Sequence, residues 1–157
     1  MKLSIIIPVY NEEKTIVPIL EKVKALEISQ VEKEIIVVDD GSTDATASEI
    51  RNSSFGKLRI KNRNIKYLKH EINQGKGAAV KTGIEKATGD YVIIQDADLE
   101  YDPEFIISLI EPVVNGKAKI VYGTRLKRWP NLSKDERTAQ FLLHYLGNKF
   151  LSLMTSV

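Results

Sequence analysis

The sequence predicts an α/β fold, a Rossmann-like, mostly parallel sheet with helices on both faces, and three observations carry that expectation. Short apolar runs rich in β-branched residues alternate with longer segments of helical apolar spacing. The runs are nearly continuous in apolar character, which marks strands covered on both faces and joined by right-handed βαβ crossovers. Three of them open directly into acidic turns, and in parallel sheets ligands sit beyond the carboxyl ends of the strands.

Taken in order, the first strand is expected at residues 3–9, where Leu-Ser-Ile-Ile-Ile-Pro-Val runs into Tyr10-Asn11-Glu12-Glu13. A helix follows at 12–26. The second strand, 34–39, ends in Asp39-Asp40-Gly41-Ser42-Thr43-Asp44, and Ser42 and Thr43 are start signals for a helix at 44–52. A third strand at 65–69 leads through Asn73-Gln74-Gly75-Lys76-Gly77 into a helix at 77–88. The fourth strand, 89–95, delivers Asp96-Ala97-Asp98, and Pro103-Glu104 opens a helix at 103–114. A fifth strand is expected at 118–123.

At 157 residues and 43% hydrophobic composition, the chain has the material for one core. The absence of cysteine excludes disulfides, thiolate zinc sites and thiol nucleophiles, and fits a reducing compartment. The first apolar run is interrupted too soon by Pro8 and Asn11 to read as a secretory signal. The apolar-rich stretch 141–157 falls short of a membrane span.

Charge is unevenly distributed. Residues 1–116 carry 15 Lys+Arg and 19 Asp+Glu, a net −4, whereas residues 117–157 carry 8 and 2, a net +6. The basic end contains Leu126-Lys127-Arg128-Trp129-Pro130 and a broad apolar face of Phe141, Leu142, Tyr145, Leu146, Phe150, Leu153 and Met154 at helical spacing. Cations beside an interfacial aromatic suit head-group depth, so a C-terminal amphipathic helix on a membrane surface is expected from residues 126–157. The alternative is that this helix packs on the domain or on a second copy of the chain, as in a homodimer. Nucleic acid is not an expected partner, because the positive charge is confined to an apolar arm without a stacking platform.

The chemistry is concentrated at the strand ends. Asp96 and Asp98 are spaced to hold Mg²⁺ or Mn²⁺, and a cation held by one or two protein carboxylates usually also ligates substrate phosphates. Lys76, at the start of a helix, is placed to face phosphate. Neither usual phosphate motif is met. Lys76 is followed by Gly77 with no glycine at position 70, and Val9-Tyr10-Asn11-Glu12 stands where a dinucleotide fingerprint belongs. A P-loop ATPase and a standard dehydrogenase are therefore excluded. His70 and His144 read as structural residues.

Pro8-Val9-Tyr10-Asn11-Glu12, Val38-Asp39-Asp40-Gly41-Ser42-x-Asp44, Asn73-x-Gly75-Lys76-Gly77, Gly89-Asp90-Tyr91 leading to Asp96-Ala97-Asp98-Leu99, and Gly123-Thr124-Arg125 occur in order. Together they resemble the catalytic domain of the inverting, nucleotide-diphospho-sugar glycosyltransferases of GT-A fold, in particular the dolichyl-phosphate mannosyltransferase and glucosyltransferase type. The resemblance covers about residues 3 to 157. It implies metal-dependent transfer of a hexose from GDP-mannose or UDP-glucose to a polyprenyl phosphate, at the cytoplasmic face of a membrane.

It further implies that Pro8, Tyr10, Asn11, Glu12, Val38, Asp39 and Asp40 cradle the nucleotide, with Lys76 and Ala97 also at the donor. Asp96 and Asp98 take the metal-and-diphosphate position, Glu100 is a third ligand, and Asp98 and Arg125 carry the catalysis. On this reading residues 1–125 form the nucleotide-sugar-binding catalytic domain and 126–157 an acceptor and membrane-interface arm. Residues 151–157 carry no helix stop, and such enzymes continue further, so a truncated chain is expected.

Physical chemistry supports the scheme. A departing nucleoside diphosphate accumulates negative charge, which a divalent cation relieves as a Lewis acid. Lys76 and Arg125 would each add on the order of a few kcal/mol in a dry site. A phosphate acceptor is already an anionic nucleophile, whereas a saccharide hydroxyl would need a general base. Three other readings compete: a glycosyltransferase to a saccharide hydroxyl, a sugar-1-phosphate nucleotidyltransferase, and a noncatalytic nucleotide or phosphate-binding module. The second should carry a Gly-rich loop after strand one, where this chain has Tyr10-Asn11-Glu12.

Overall fold

The computed structural model describes residues 1–59 and 62–123. The chain divides into two compact units, residues 1–121 and 122–157, and the architecture below belongs to the first. Arg125 and the amphipathic arm at 126–157 lie outside the described residues.

Among the described residues, nine elements follow one another: β1 (Lys2–Val9), α1 (Ile16–Ala25), β2 (Glu32–Asp39), α2 (Thr46–Asn52), α3 (Ser54–Arg59), β3 (Ile65–Lys69), α4 (Lys76–Lys86), β4 (Tyr91–Ile94) and α5 (Phe105–Val114). The strands form one parallel sheet in the order β3-β2-β1-β4. β1 lies between β2 and β4, with Ile5 opposite both Ile35 and Ile93. A strand flanked on both edges and covered on both faces has no solvent side. This is why Leu3 to Val9 are all buried and, Ser4 apart, read as an apolar run.

Successive side chains leave a strand on opposite faces, and the core divides accordingly. Leu3, Ile5, Ile7 and Val9 of β1 and Ile35 and Val37 of β2 pack with Ile19, Leu20 and Val23 of α1, Ile50 of α2, Phe55 of α3 and Ile106 and Ile110 of α5. On the other face Ile6, Ile36 and Val38 meet Ala79 of α4. Helices on both faces of a parallel sheet are what the sequence predicts. Among the described residues no helix is long and apolar enough to cross a membrane.

Two elements differ from expectation. The segment 118–123, predicted as a fifth strand, contains no strand residue. Its Ala-Lys-Ile-Val-Tyr-Gly composition has β propensity, but a strand exists only where a neighbouring edge completes its ladder, and propensity alone does not supply one. Conversely, α3 falls between the helix expected at 44–52 and the strand expected at 65–69, where no element was predicted. It forms because Phe55 is fully buried beneath it and Ser53 Oγ accepts the Gly56 N–H at 3.3 Å.

α4 lies close against β1. A Cβ at Gly83 would stand 2.5 Å from Cγ2 of the fully buried Ile6. At an exposed helix position Gly→Ala gains roughly 0.5–1 kcal/mol, but overpacking a core costs about 1–3 kcal/mol, so the clash decides the sign here. Gly83→Ala is therefore expected to lower the melting temperature. Gly77→Ala, which would meet nothing within 4 Å, should not. Thermal unfolding of the two variants checks this.

Candidate active site

The strand order sets where a cleft forms. From β1 the chain moves outward through β2 to β3, then returns across to β4 on the other side of β1. At such a reversal the loops leaving adjacent strands part in opposite directions and open a crevice at their carboxyl ends. A cleft of about 250 Å³ lies there, lined by Pro8, Val9, Tyr10 and Glu12 from the end of β1, Asp40 from the end of β2, Asn73, Lys76 and Ala79 from the start of α4, and Asp96, Ala97 and Asp98 from the end of β4. Eight sequence-nominated residues meet in it: Pro8, Tyr10, Glu12, Asp40, Lys76, Asp96, Ala97 and Asp98.

The β4 loop is shaped by its own backbone. Gln95 N donates to Ile6 O at 2.9 Å, extending the β1 ladder by one residue beyond β4. The buried Gln95 side chain then spans the loop, its Nε2 donating to Asp96 O at 3.1 Å and Tyr101 O at 3.0 Å. Asp98 Oδ1 accepts the Glu100 N–H at 3.2 Å. Lys76 Nζ lies 2.7 Å from Asp96 Oδ1, with the two side chains 63% and 27% exposed. A pair this accessible contributes little to stability, so lysine is free to exchange partners when a ligand arrives.

No group of three or more His, Cys, Asp or Glu residues capable of holding a metal comes together among the described residues. Glu100, nominated as a third ligand, does not line the cleft, whereas the other two nominated ligands, Asp96 and Asp98, both do. That donor set fits Mg²⁺ or Mn²⁺, hard ions that keep several waters and complete their shells with substrate phosphates.

Three further nominated residues stand behind the cleft. Val38 is fully buried against α4, and Asp39 points the other way, because neighbours on a strand face opposite sides. Asp39 Oδ2 accepts the Tyr67 hydroxyl at 2.9 Å and lies 3.4 Å from Lys69 Nζ, while Oδ1 accepts the Ser42 N–H at 2.8 Å. Neither lines the cleft. Asn11, at a positive φ of 54°, ties two turns together: its N–H donates to Ser42 Oγ at 3.0 Å and its Oδ1 accepts from Thr43 N at 2.9 Å. Asp44 likewise serves the fold, accepting from Thr46 N at 2.9 Å before α2 and from Glu13 N at 3.3 Å. Burial pushes its pKa up, but the Thr46 and backbone hydrogen bonds outweigh this and hold it below the usual carboxylate range.

In the acidic turn after β2, Asp40 is the residue that reaches the cleft. Its Oδ1 accepts from Gln74 N at 3.0 Å and its Oδ2 from Gly75 N at 2.7 Å, with His70 Nδ1 2.6 Å from Oδ1. Burial pushes this carboxyl up, and the bonds from His70 and the two amides more than reverse it, leaving it below the ordinary value. Two glycines allow the approach. Gly41 has φ +72°, and a Cβ there would strike the Ile72 and Asn73 backbone at 2.6 Å; Gly75 turns into α4 at φ +90°. Sequence reasoning did not assign Asn73, Gln95 or His70 to the site. A glutamine closing the apolar run before Asp96 was the signal available for Gln95.

An acidic pair and a lysine thus stand at the switch point of a parallel sheet, where α/β folds bind their ligands. The chain belongs to glycosyl transferase family 2, which it matches over residues 4–155. It is 33% identical over 129 residues to dodecaprenyl-phosphate galacturonate synthase of Rhizobium johnstonii, covering 82% of this chain and 37% of that protein. It is also 33% identical over 135 residues to dolichol-phosphate mannosyltransferase of Pyrococcus furiosus, covering 83% and 36%. Among solved structures it resembles glucosyl-3-phosphoglycerate synthase of Mycobacterium tuberculosis in complex with Mn²⁺ and UDP-glucose, with 26% identity, a TM-score of 0.56, and 74% and 40% of the two chains covered. The chain thus spans little more than a third of the curated relatives it matches.

Proposed function

We propose that this chain provides the nucleotide-sugar site of a metal-dependent, inverting glycosyltransferase that moves a hexose from a nucleoside-diphospho-sugar to a polyprenyl phosphate. The observation that carries the reading is the meeting of Asp96, Asp98 and Lys76 in one cleft at the sheet's switch point, in a member of a glycosyltransferase family. Two relatives whose names specify polyprenyl or dolichol phosphate support the acceptor class.

Asp96 and Asp98 hold Mg²⁺ or Mn²⁺, which when bound supplies Lewis-acid relief of the charge on the leaving diphosphate. Lys76 exchanges Asp96 for a phosphate oxygen at the start of α4, where backbone N–H groups also favour anions. Tyr10, Glu12 and Asp40 flank the nucleoside. An acceptor phosphate oxygen attacks the anomeric carbon as the bond from that carbon to the diphosphate oxygen breaks, the electron pair leaving with the nucleoside diphosphate. The acceptor is already anionic, so no side chain has to remove a proton from it. Arg125 and the 126–157 arm serve the acceptor phosphate at the cytoplasmic membrane surface.

Thermal unfolding with a panel of UDP- and GDP-sugars tests the donor site. A stabilisation that requires Mn²⁺ or Mg²⁺ and disappears with EDTA is expected, and at ligand a hundredfold above Kd it amounts to about 2.7 kcal/mol. Radiolabelled transfer to polyprenyl phosphate, with a free saccharide as the competing acceptor, tests the reaction. No stabilisation by any donor with metal present would sink the proposal.

A further inference from the structure

We propose that His70, which does not itself line the cleft, is a positioning residue that fixes the Asp40 carboxylate and, through it, the loop leading to Lys76. The inference rests on the donor-site reading above. His70 directly follows β3, and its backbone N–H donates to Asp39 O at 2.8 Å, so the sheet fixes where the ring begins. The ring then bridges two elements: Nδ1 lies 2.6 Å from Asp40 Oδ1 and Nε2 lies 3.0 Å from Thr82 Oγ1 on α4.

The partners dictate the protons. An ionised carboxylate only accepts, so Nδ1 carries the hydrogen and donates it to Asp40; in the neutral ring Nε2 then accepts the Thr82 hydroxyl. Asp40 in turn accepts both the Gln74 and Gly75 N–H groups. One carboxylate therefore joins helix α4, through Thr82 and His70, to the backbone immediately before Lys76. A carboxylate offers roughly four acceptor directions. These three bonds leave capacity on Oδ2 for an N–H or O–H donor of a ligand in the cleft that Asp40 lines. The His70 ring is what prevents that carboxylate from turning to another rotamer, because its charge-assisted bond is the side-chain anchor and the amide bonds move with the loop.

Two variants separate positioning from packing. His70→Asn places an amide N–H near the Nδ1 position and keeps the Asp40 bond while losing Thr82. His70→Gln reaches the Nε2 position and keeps Thr82 while removing the side-chain donor to Asp40. Amide hydrogen exchange of the whole chain, with no nucleotide present, is expected to speed up at Gln74 and Gly75 in His70→Gln and not in His70→Asn. Calorimetric titration with UDP and GDP in Mn²⁺ is expected to show Kd raised roughly tenfold in His70→Gln, the loss of one charge-assisted bond, and within about threefold of wild type in His70→Asn.

Equal weakening by both variants is what a packing role predicts, and it overturns the inference, as does unchanged exchange at Gln74 and Gly75 in His70→Gln. Selective exchange in a chain that binds neither nucleotide supports the His70–Asp40 linkage and refutes the donor reading instead.

Discussion

Asp98→Asn is expected to abolish the metal-dependent part of donor binding and to lower sugar transfer by a factor on the order of a hundred or more, because charge stabilisation at a leaving diphosphate is worth several kcal/mol. The substitution is isosteric. An asparagine carbonyl still accepts the Glu100 N–H that Asp98 Oδ1 accepts at 3.2 Å, so the loop keeps its shape while the site loses a negative charge. Asp96→Asn provides the comparison: it removes a carboxylate from the same cleft and also releases Lys76 from its 2.7 Å contact. Both variants should show Mn²⁺ affinity reduced in calorimetry without any sugar donor. The unliganded melting temperature of Asp98→Asn should stay close to wild type. Full Mn²⁺ affinity in Asp98→Asn would show that this carboxylate holds no cation.

The largest effect on stability is expected at the opposite edge of the sheet. Glu34 is 1% exposed, yet it is ionised and fully engaged. Oε2 accepts from Ser4 Oγ at 2.6 Å and Thr88 N at 2.8 Å, and Oε1 from Lys66 Nζ at 2.7 Å and Thr88 Oγ1 at 2.8 Å. Ser4 Oγ meanwhile accepts the Gly89 N–H at 2.9 Å. The cluster fastens the connection from α4 into β4, the strand that delivers Asp96 and Asp98.

Burial opposes the charge on Glu34, but the Lys66, Ser4 and Thr88 bonds outweigh it and lower its pKa from 4.5 to about 2. A carboxyl depressed on folding contributes stability that is complete above its unfolded value and lost as pH falls through the folded one. The gap between 4.5 and about 2 corresponds to roughly 3 kcal/mol, present above about pH 5 and lost towards pH 2. Glu34→Gln removes that term. Because Lys66 is 30% exposed and rehydrates, the cost at pH 7 is expected near 2–3 kcal/mol rather than the roughly 3–5 of a fully enclosed pair. Urea unfolding at pH 7 and pH 3 checks both: the variant should be weaker at pH 7, and its deficit should shrink to roughly half at pH 3. Equal stability at pH 7 would show that the cluster is dispensable.

Sequence alone determined the class of fold and the edge at which the candidate site opens. Continuous apolar runs are legible because a central parallel strand such as β1 is buried on both faces, and an acidic turn after such a run must emerge at the carboxyl edge. Lys76, Asp96 and Asp98 were nominated from their place at strand ends and a helix start, and Pro8, Tyr10, Glu12, Asp40 and Ala97 by the family resemblance, and all eight line one cleft.

Only the tertiary structure decided which way each acidic residue faces. Asp39 and Asp40 are adjacent, yet one is drawn to Tyr67 and Lys69 beneath the sheet and the other to the cleft. Partners 28 to 35 residues distant make that choice, and no local pattern encodes them. The same holds for Glu34, whose identity suggests a solvated strand start until Ser4, Lys66 and Thr88 converge on it. It holds equally for residues 118–123, whose β propensity is not realised as a strand. Periodicity reports how much of an element is buried, because burial acts residue by residue along the chain. Which charge faces which partner depends on register and crossing, and these are fixed only when distant segments pack together.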